Sequence, residues 1–180
     1  MIEALTPPET VVFLVGPMGA GKSTIGPLLA EELGWPFCDT DHEIEARAGV
    51  DIPWIFDVEG EAGFRRRESE VLEVMSAEKP LVLATGGGII LADANRKLMK
   101  ERGIVIYLSA TLDQLLSRTA RDRKRPLLQG GNPRDKIRAL MATRAPLYEA
   151  VADITCMTDE RNPRIAAREL VKQLSVHLSG

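Results

Sequence analysis

The stretch Val11-Val12-Phe13-Leu14-Val15-Gly16-Pro17-Met18-Gly19-Ala20-Gly21-Lys22-Ser23-Thr24 decides the fold. Its first five residues are a continuous apolar run, the pattern of a strand covered on both faces. Gly16–Ser23 then matches Gly-x-x-x-x-Gly-Lys-Ser, and a helical pattern begins at Lys22. Glycines let a backbone wrap phosphate groups with its N–H bonds pointing inward, and the following helix N-terminus adds positive potential. A lysine at position 22 can reach the outer phosphates, and the hydroxyl of Ser23 can ligate Mg²⁺. A Gly-rich turn without a ligand seldom sits between a buried strand and a helix. The stretch therefore points to a nucleoside triphosphate, without saying what is done with it.

Outward from this stretch, short apolar runs alternate with longer helical patterns. Strands are expected at Val11–Val15, Pro36–Asp39, Leu81–Ala84, Ile104–Leu108 and Asp153–Cys156. Helices are expected at Lys22–Leu33, His42–Ala48, Ile52–Val58, Glu61–Glu78, Asp93–Arg102, Leu112–Arg121, Pro133–Ala150 and Pro163–Leu178, the last with an apolar stripe of Ile165, Leu170, Val171, Leu174 and Leu178. Strand–helix alternation predicts an α/β fold with a parallel sheet and helices on both faces. Gly26-Pro27 breaks the pattern, because a proline inside the first helix removes a hydrogen-bond donor. Either the helix bends there or packing overrides propensity.

Composition narrows the classes of function. With 180 residues the chain reads as one domain, able to bury roughly 70% of its unfolded surface without a disulfide or metal. Net charge is −3, which argues against general nucleic-acid binding. Cys38 and Cys156 do not make a disulfide framework and read as a chance pair of buried thiols. His42 and His177 are the only histidines, too few for a His-based metal site or a Ser-His-Asp triad. The first ten residues have neither a basic nor an apolar signal region, and no apolar run approaches a membrane span, so the expected location is cytoplasmic.

Five further groups carry chemistry. Asp39-Thr40-Asp41 ends the second strand, at the sheet edge where ligands bind in doubly wound folds. One acid can order a metal's water shell while the other accepts a proton or hydrogen bond from an alcohol; the competing role is a helix N-cap. Phe64-Arg65-Arg66-Arg67-Glu68 reads mostly as a solvated helix face with ion pairs, but at least one arginine must share the side of Phe64. Gly86-Gly87-Gly88 follows the third strand and permits close backbone approach to a ligand. Arg118 to Lys136 holds seven basic residues against two acidic ones and includes Gly130-Gly131, a composition suited to a lid over a triphosphate. An RNA-contacting stripe is the alternative, although no aromatic residue lies within it to stack bases. Arg144-Ala145-Pro146-Leu147-Tyr148 completes the set; Pro146 is expected to bend or interrupt its helix, which would turn Arg144, otherwise a surface residue, into the cleft.

Together these residues resemble the shikimate kinase family. The resemblance rests on Gly16–Thr24, Asp39-x-Asp41, Phe64-Arg65-Arg66, Gly86-Gly87-Gly88, Arg125-Pro126-Leu127-Leu128 and Arg144-x-Pro146-Leu147-Tyr148, in the family's order and over about Val11 to Leu178. It implies a three-layer P-loop kinase fold, nucleoside-monophosphate-kinase-like, with a five-stranded parallel sheet in the order 2-3-1-4-5 and a mobile lid. The chain would be a single kinase domain over 1–180, with a lid at about 119–134 and a substrate-binding helical region at about 41–70. The implied reaction is transfer of the γ-phosphoryl group of ATP to the 3-hydroxyl of shikimate, on the route to chorismate and aromatic amino acids.

Residue by residue, the resemblance implies that Gly19, Ala20, Gly21, Lys22, Ser23 and Thr24 bind ATP. Ser23 would bind Mg²⁺ with Asp39 behind it. Asp41 would hold shikimate hydroxyls and accept the proton, Arg65 and Arg144 would clamp its carboxylate, and Gly87 would contribute a backbone contact. Arg125 would act on the transferring phosphoryl from the lid, and Arg118 and Pro163 would flank adenine. The partners would be shikimate and ATP alone, with neither nucleic acid nor membrane, and the chain a monomer. A related small-metabolite or nucleoside-monophosphate kinase is the alternative enzyme. A nucleotide switch without catalysis is the alternative outside enzymes, and such a switch would need neither Asp41 nor Arg125.

Overall fold

A computed structural model of the chain describes residues 10–120, 130–159 and 161–180. The elements are β1 (Val11–Val15), α1 (Lys22–Leu33), β2 (Phe37–Asp39), α2 (Thr40–Ala48), α3 (Ile52–Met75), β3 (Leu81–Ala84), a 3₁₀ turn (Ile89–Leu91), α4 (Asp93–Arg102), β4 (Gly103–Ser109), α5 (Leu112–Thr119), α6 (Pro133–Val151), β5 (Ile154–Met157) and α7 (Pro163–Ser179). The five strands form one parallel sheet in the order β2-β3-β1-β4-β5. This is the expected α/β architecture and strand order.

β1 is the centre of the molecule because every residue in it is buried. Val11, Phe13 and Val15 face a core built with α3, α4 and α6, whereas Val12 and Leu14 face one built with α1 and α7. A strand's alternation thus serves two helical layers at once. β1 is also flanked on both sides by strands that connect elsewhere, so the crevice for ligands lies at its carboxyl end.

The helices settle one open choice and correct several expectations. α1 runs unbroken through Pro27, whose exposed position turns the missing hydrogen bond toward water, so packing wins over propensity. α6 likewise continues through Pro146 without an interruption, and Pro146 too is exposed to water. In α7 the buried stripe is Ala167, Leu170, Val171 and Leu174, with Leu178 partly buried, while Ile165 is 48% exposed. The two helices expected at Ile52–Val58 and Glu61–Glu78 are both present but merge into α3, with a non-helical Gly60 between them and an end at Met75. Cys156 is buried and Cys38 only half-buried; both are free thiols, raised above the usual thiol range chiefly by burial.

Gly26 explains why a glycine stands beside Pro27. A Cβ there would overlap the Phe37 ring and stand 3.1 Å from Leu14 Cδ1. The bare backbone lets α1 lie directly on β1 and β2. Gly26→Ala should therefore destabilise the protein by about 1–3 kcal/mol, the usual cost of overpacking, despite alanine's better helix propensity. Urea unfolding measures this, and equal or greater stability in Gly26→Ala would refute the packing account.

Candidate active site

The loop after β1 curls back over α1. Gly19 and Gly21 hold φ of +83° and +101°, a conformation that side chains rarely adopt. The Lys22 ammonium bends over its own loop and donates to the carbonyls of Gly16 and Pro17, the latter at 2.9 Å. Gly19, Gly21, Lys22, Ser23 and Thr24 line a cavity of about 280 Å³, and Arg118 closes its far side. Arg118 donates to Gly19 O at 2.9 Å, Thr158 Oγ1 at 3.3 Å and Asp159 O at 3.2 Å, which ties α5 to the loop. Ala20 is buried beneath the loop. Pro163 opens α7 and does not line this cavity. Arg125 and residues 121–129 of the expected lid lie outside the described residues.

Asp39 caps α2 and also meets the phosphate loop. Its Oδ1 accepts from the backbone N–H of Asp41 at 2.9 Å and of His42 at 3.4 Å, capping α2. Its Oδ2 accepts from Ser23 Oγ at 3.1 Å, joining β2 to the phosphate loop. Asp41, in the first turn of α2, turns into the crevice instead. Thr40 between them is buried, and its Oγ1 accepts from Gly86 N at 3.1 Å.

Beside the loop cavity lies a second one of about 290 Å³, lined by Asp41, Phe64, Arg65, Glu68, the three glycines and Arg144 among others. The two cavities share Met18, Ser23, Asp39, Asp41, Gly86 and Gly87, so they are compartments of one cleft. The glycines floor it, and at Gly86 and Gly88 charged side chains occupy the space that a Cβ would fill. A Cβ on Gly86 would stand 2.7 Å from Glu68 Oε2 and 2.8 Å from Asp41 Oδ1. On Gly87 it would meet Arg144 Nη1 at 3.4 Å, and on Gly88 it would overlap the Arg65 guanidinium.

Arg144 is buried, at 5% exposure, on a helix that runs uninterrupted through Pro146. Helical phase brings it in: Arg144 and Tyr148 are four residues apart on the inner face of α6. Tyr148 donates to the Gly87 carbonyl and stacks on Tyr107 with ring centroids 5.0 Å apart, which anchors that face against the floor. Burial pushes the Tyr148 phenol far above its usual range, so it stays protonated and keeps its proton for the Gly87 carbonyl while its oxygen accepts from Arg144. Arg65 lies 5.2 Å over the Phe64 ring and bonds Glu68 Oε1 at 2.9 Å and Glu61 Oε1 at 3.3 Å.

Glu68, Thr40 and Tyr148 received no role from the sequence. Glu68 looks like one more acid in a charged helix, yet it is 1% exposed and its Oε2 has no hydrogen-bond partner. Its place three residues after Arg65, on the same helix face, was the available signal. Burial pushes its carboxyl up to about 7 against the pull of Arg65, with Asp41 raising it and Arg144 lowering it.

The donor set suits a hard cation. Ser23 hydroxyl and the Asp39 carboxylate lie together at the cleft, with Asp41 nearby, an oxygen-donor set. Oxygen donors few in number fit Mg²⁺, which keeps waters and substrate phosphates as its other ligands.

A phosphate loop and a charged second compartment at the carboxyl ends of a parallel sheet define a P-loop phosphotransferase with a separate acceptor pocket. The comparisons with known proteins narrow that class. The family model described as shikimate kinase matches residues 18–175. A shikimate kinase of Chromohalobacter salexigens is 55% identical over 162 residues, 90% of each chain. One from Pseudomonas aeruginosa is 54% identical over 91% of this chain and 95% of its own. The solved shikimate kinase from Acinetobacter baumannii in complex with shikimate superposes with a TM-score of 0.90 at 50% identity, over 92% of each chain. The chain belongs to the shikimate kinase family.

Glu68 gives a pH signature. Its folded value near 7 exceeds the ordinary 4.5, so its share of stability is full below about 4.5 and is lost as pH rises through about 7. Relative to Glu68→Gln, the wild type should lose up to about 3 kcal/mol between pH 5 and pH 8, measured by urea unfolding. Parallel profiles for the two proteins would show that Glu68 is already ionised throughout.

Proposed function

We infer that this chain is a shikimate kinase, transferring the γ-phosphoryl group of ATP to a hydroxyl of shikimate. The observation that carries the reading is the convergence of Asp41, Arg65 and Arg144 on one compartment that opens into the phosphate-loop cavity. A substrate with a carboxylate at one end and hydroxyls at the other fits that distribution of charge. The relative solved with shikimate supports the same choice.

In this reading Arg65 and Arg144 hold the carboxylate, with Gly87 giving a backbone contact. Asp41 holds the 3-hydroxyl and takes its proton as the oxygen attacks the γ-phosphorus. The new O–P bond forms as the bond to the β-phosphate bridging oxygen breaks, and ADP leaves. Such a transfer is mostly positioning and charge stabilisation, which the loop N–H groups and Lys22 provide. Swinging from the carbonyls of Gly16 and Pro17 to the incoming phosphates replaces two neutral acceptors with charged ones. Ser23, with Asp39 behind it, would hold Mg²⁺, which neutralises phosphate charge when bound. Arg125, by its motif, is assigned to the transferring phosphoryl, and Arg118 and Pro163 to the adenine. We further propose a cytoplasmic monomer that acts on small molecules only; no described helix is long and apolar enough to cross a membrane.

ADP release should be stimulated by shikimate and not by quinate, gluconate, AMP or CMP. Stimulation by AMP or CMP would make the chain a nucleotide kinase, and ADP release indifferent to every acceptor would leave only a nucleotide switch.

Asp41→Asn should lose about 10²–10⁴-fold in kcat with little change in unfolding temperature. A fall in stability with turnover retained would reduce Asp41 to a helix-start residue. For Arg144, loss of the charged contact should raise the shikimate KM about 10- to 100-fold in Arg144→Ala, with the ATP KM within a few-fold. Lysine should restore part of the affinity, lacking the planar fork. Shikimate methyl ester should be a poor substrate that barely distinguishes wild type from Arg144→Ala; equal losses for ester and acid would defeat the clamp.

A further inference from the structure

α3 contains a bend whose parts are all specified. Gly60 holds φ 73° and ψ 177° between two helical halves, Ile52–Glu59 and Glu61–Met75. Its missing Cβ would meet nothing within 4 Å, so glycine is there for conformation alone. Gly63 has the opposite reason. A Cβ on Gly63 would lie 2.5 Å from the Glu59 Cβ, whereas residues four apart on a straight helix keep their Cβ atoms about 5–6 Å apart. The bend has folded Glu59 down onto Gly63, and any side chain there would block it.

A third element closes the bend. Arg67 Nε donates to Glu59 Oε2 at 2.7 Å and Arg67 Nη2 donates to Glu59 Oε1 at 3.2 Å, a two-point fork. Eight residues of straight helix would separate these positions by about 12 Å along the axis. In this chain the bend makes them neighbours. Each group moves the other's ionisation toward the charged form, Glu59 downward and Arg67 upward, as a hydrogen-bonded ion pair should. The helix-face reading of Arg67 from sequence allowed only partners three or four residues away, and this partner is neither.

The two halves differ in anchorage. The second buries Phe64, Glu68, Val71, Leu72 and Met75 against the sheet. The first buries only Ile55 fully and leaves Trp54 and Val58 exposed. Both nevertheless line the acceptor compartment: Ile52, Pro53 and Phe56 from the first half, Phe64, Arg65 and Glu68 from the second, with the Phe56 and Phe64 rings 4.8 Å apart. The angle at Gly60 therefore sets the distance between an apolar wall and a charged one.

We propose that Glu59 and Arg67 are positioning residues for the acceptor substrate: their ion pair fixes the Gly60 bend and so holds the Ile52–Phe56 wall at the width the substrate requires. The identity of that substrate rests on the function proposed above; the clamp itself does not. Neither residue touches the cavity, so neither is catalytic.

The test is a KM-against-kcat split with a substrate-independent companion. Glu59→Gln and Arg67→Ala should each raise the shikimate KM about three- to five-fold, the range a partly exposed ion pair can supply. kcat should stay within two-fold and the ATP KM unchanged. The exchanged pair, Glu59→Arg with Arg67→Glu, should restore most of the loss. Gly60→Ala, strained at positive φ, should exceed the single charge variants. Without any substrate, amide hydrogen exchange over 52–59 should quicken in Arg67→Ala while that over 64–75 stays as in wild type. An unchanged shikimate KM with only a lower melting temperature overturns the positioning role, as does unchanged exchange over 52–59. If the wild type releases no ADP with shikimate yet the exchange result holds, the clamp stands and the substrate assignment is what fails.

Discussion

Everything in the cleft depends on the space left empty by three consecutive residues without side chains. Gly86, Gly87 and Gly88 form the floor on which Asp41 and Glu68, Arg144 and Arg65 respectively rest, and at Gly86 and Gly88 the charged groups stand in the volume a Cβ would take. The floor is itself held from both sides, by Thr40 at the Gly86 N–H and by Tyr148 at the Gly87 carbonyl. Backbone groups with such fixed partners cannot drift, so the charged groups above them are aimed by the sheet rather than by their own flexible arms. The phosphate loop joins this arrangement through Asp39, whose two oxygens connect α2 to Ser23.

The charges of the cleft are balanced locally. Two arginines face an acceptor pocket that also contains Glu68 and Asp41, so an incoming anion meets one guanidinium, that of Arg65, already restrained by a carboxylate. Glu68 carries the cost of that arrangement, since its burial opposes ionisation. A group kept in an unfavourable state is expected where binding geometry, not stability, is being served.

What could be read from the sequence was what is local along it. The strand, the phosphate loop and its helix occupy Val11–Leu33 without interruption, and the helix was foreseen to the residue despite Gly26-Pro27. Strand order and parallel pairing followed from the family resemblance and from alternation. What escaped depended on helical phase and on contacts between distant segments. From the residues alone, Arg144 was expected inside through a bend or interruption at Pro146, whereas the helix is uninterrupted and the buried Tyr148 four residues on shows that helical phase already turns this face inward. Glu68 and Arg67 sit in one charged run, and nothing in that run says that one is buried while the other reaches across a bend. Asp39 was weighed as a cap or as a functional acid; one oxygen makes the cap, and the other meets Ser23 of the phosphate loop, a contact between distant segments that the sequence does not display.

The sheet's outer strands have a consequence for the molecule in crowded solution. β2 has three residues and β5 has four, with Thr155 and Met157 of β5 exposed. An edge strand is a template on which another chain can add, and its hazard grows with the length of backbone that it offers. Here one edge ends after three residues in the Asp39 cap and the other after four, so each offers only a brief ladder to a second chain. The long, fully apolar strand pairs, β1 with β4 above all, are enclosed in the middle. A protein arranged this way keeps its most aggregation-prone segments out of reach for as long as the fold holds, and exposes them together when it opens.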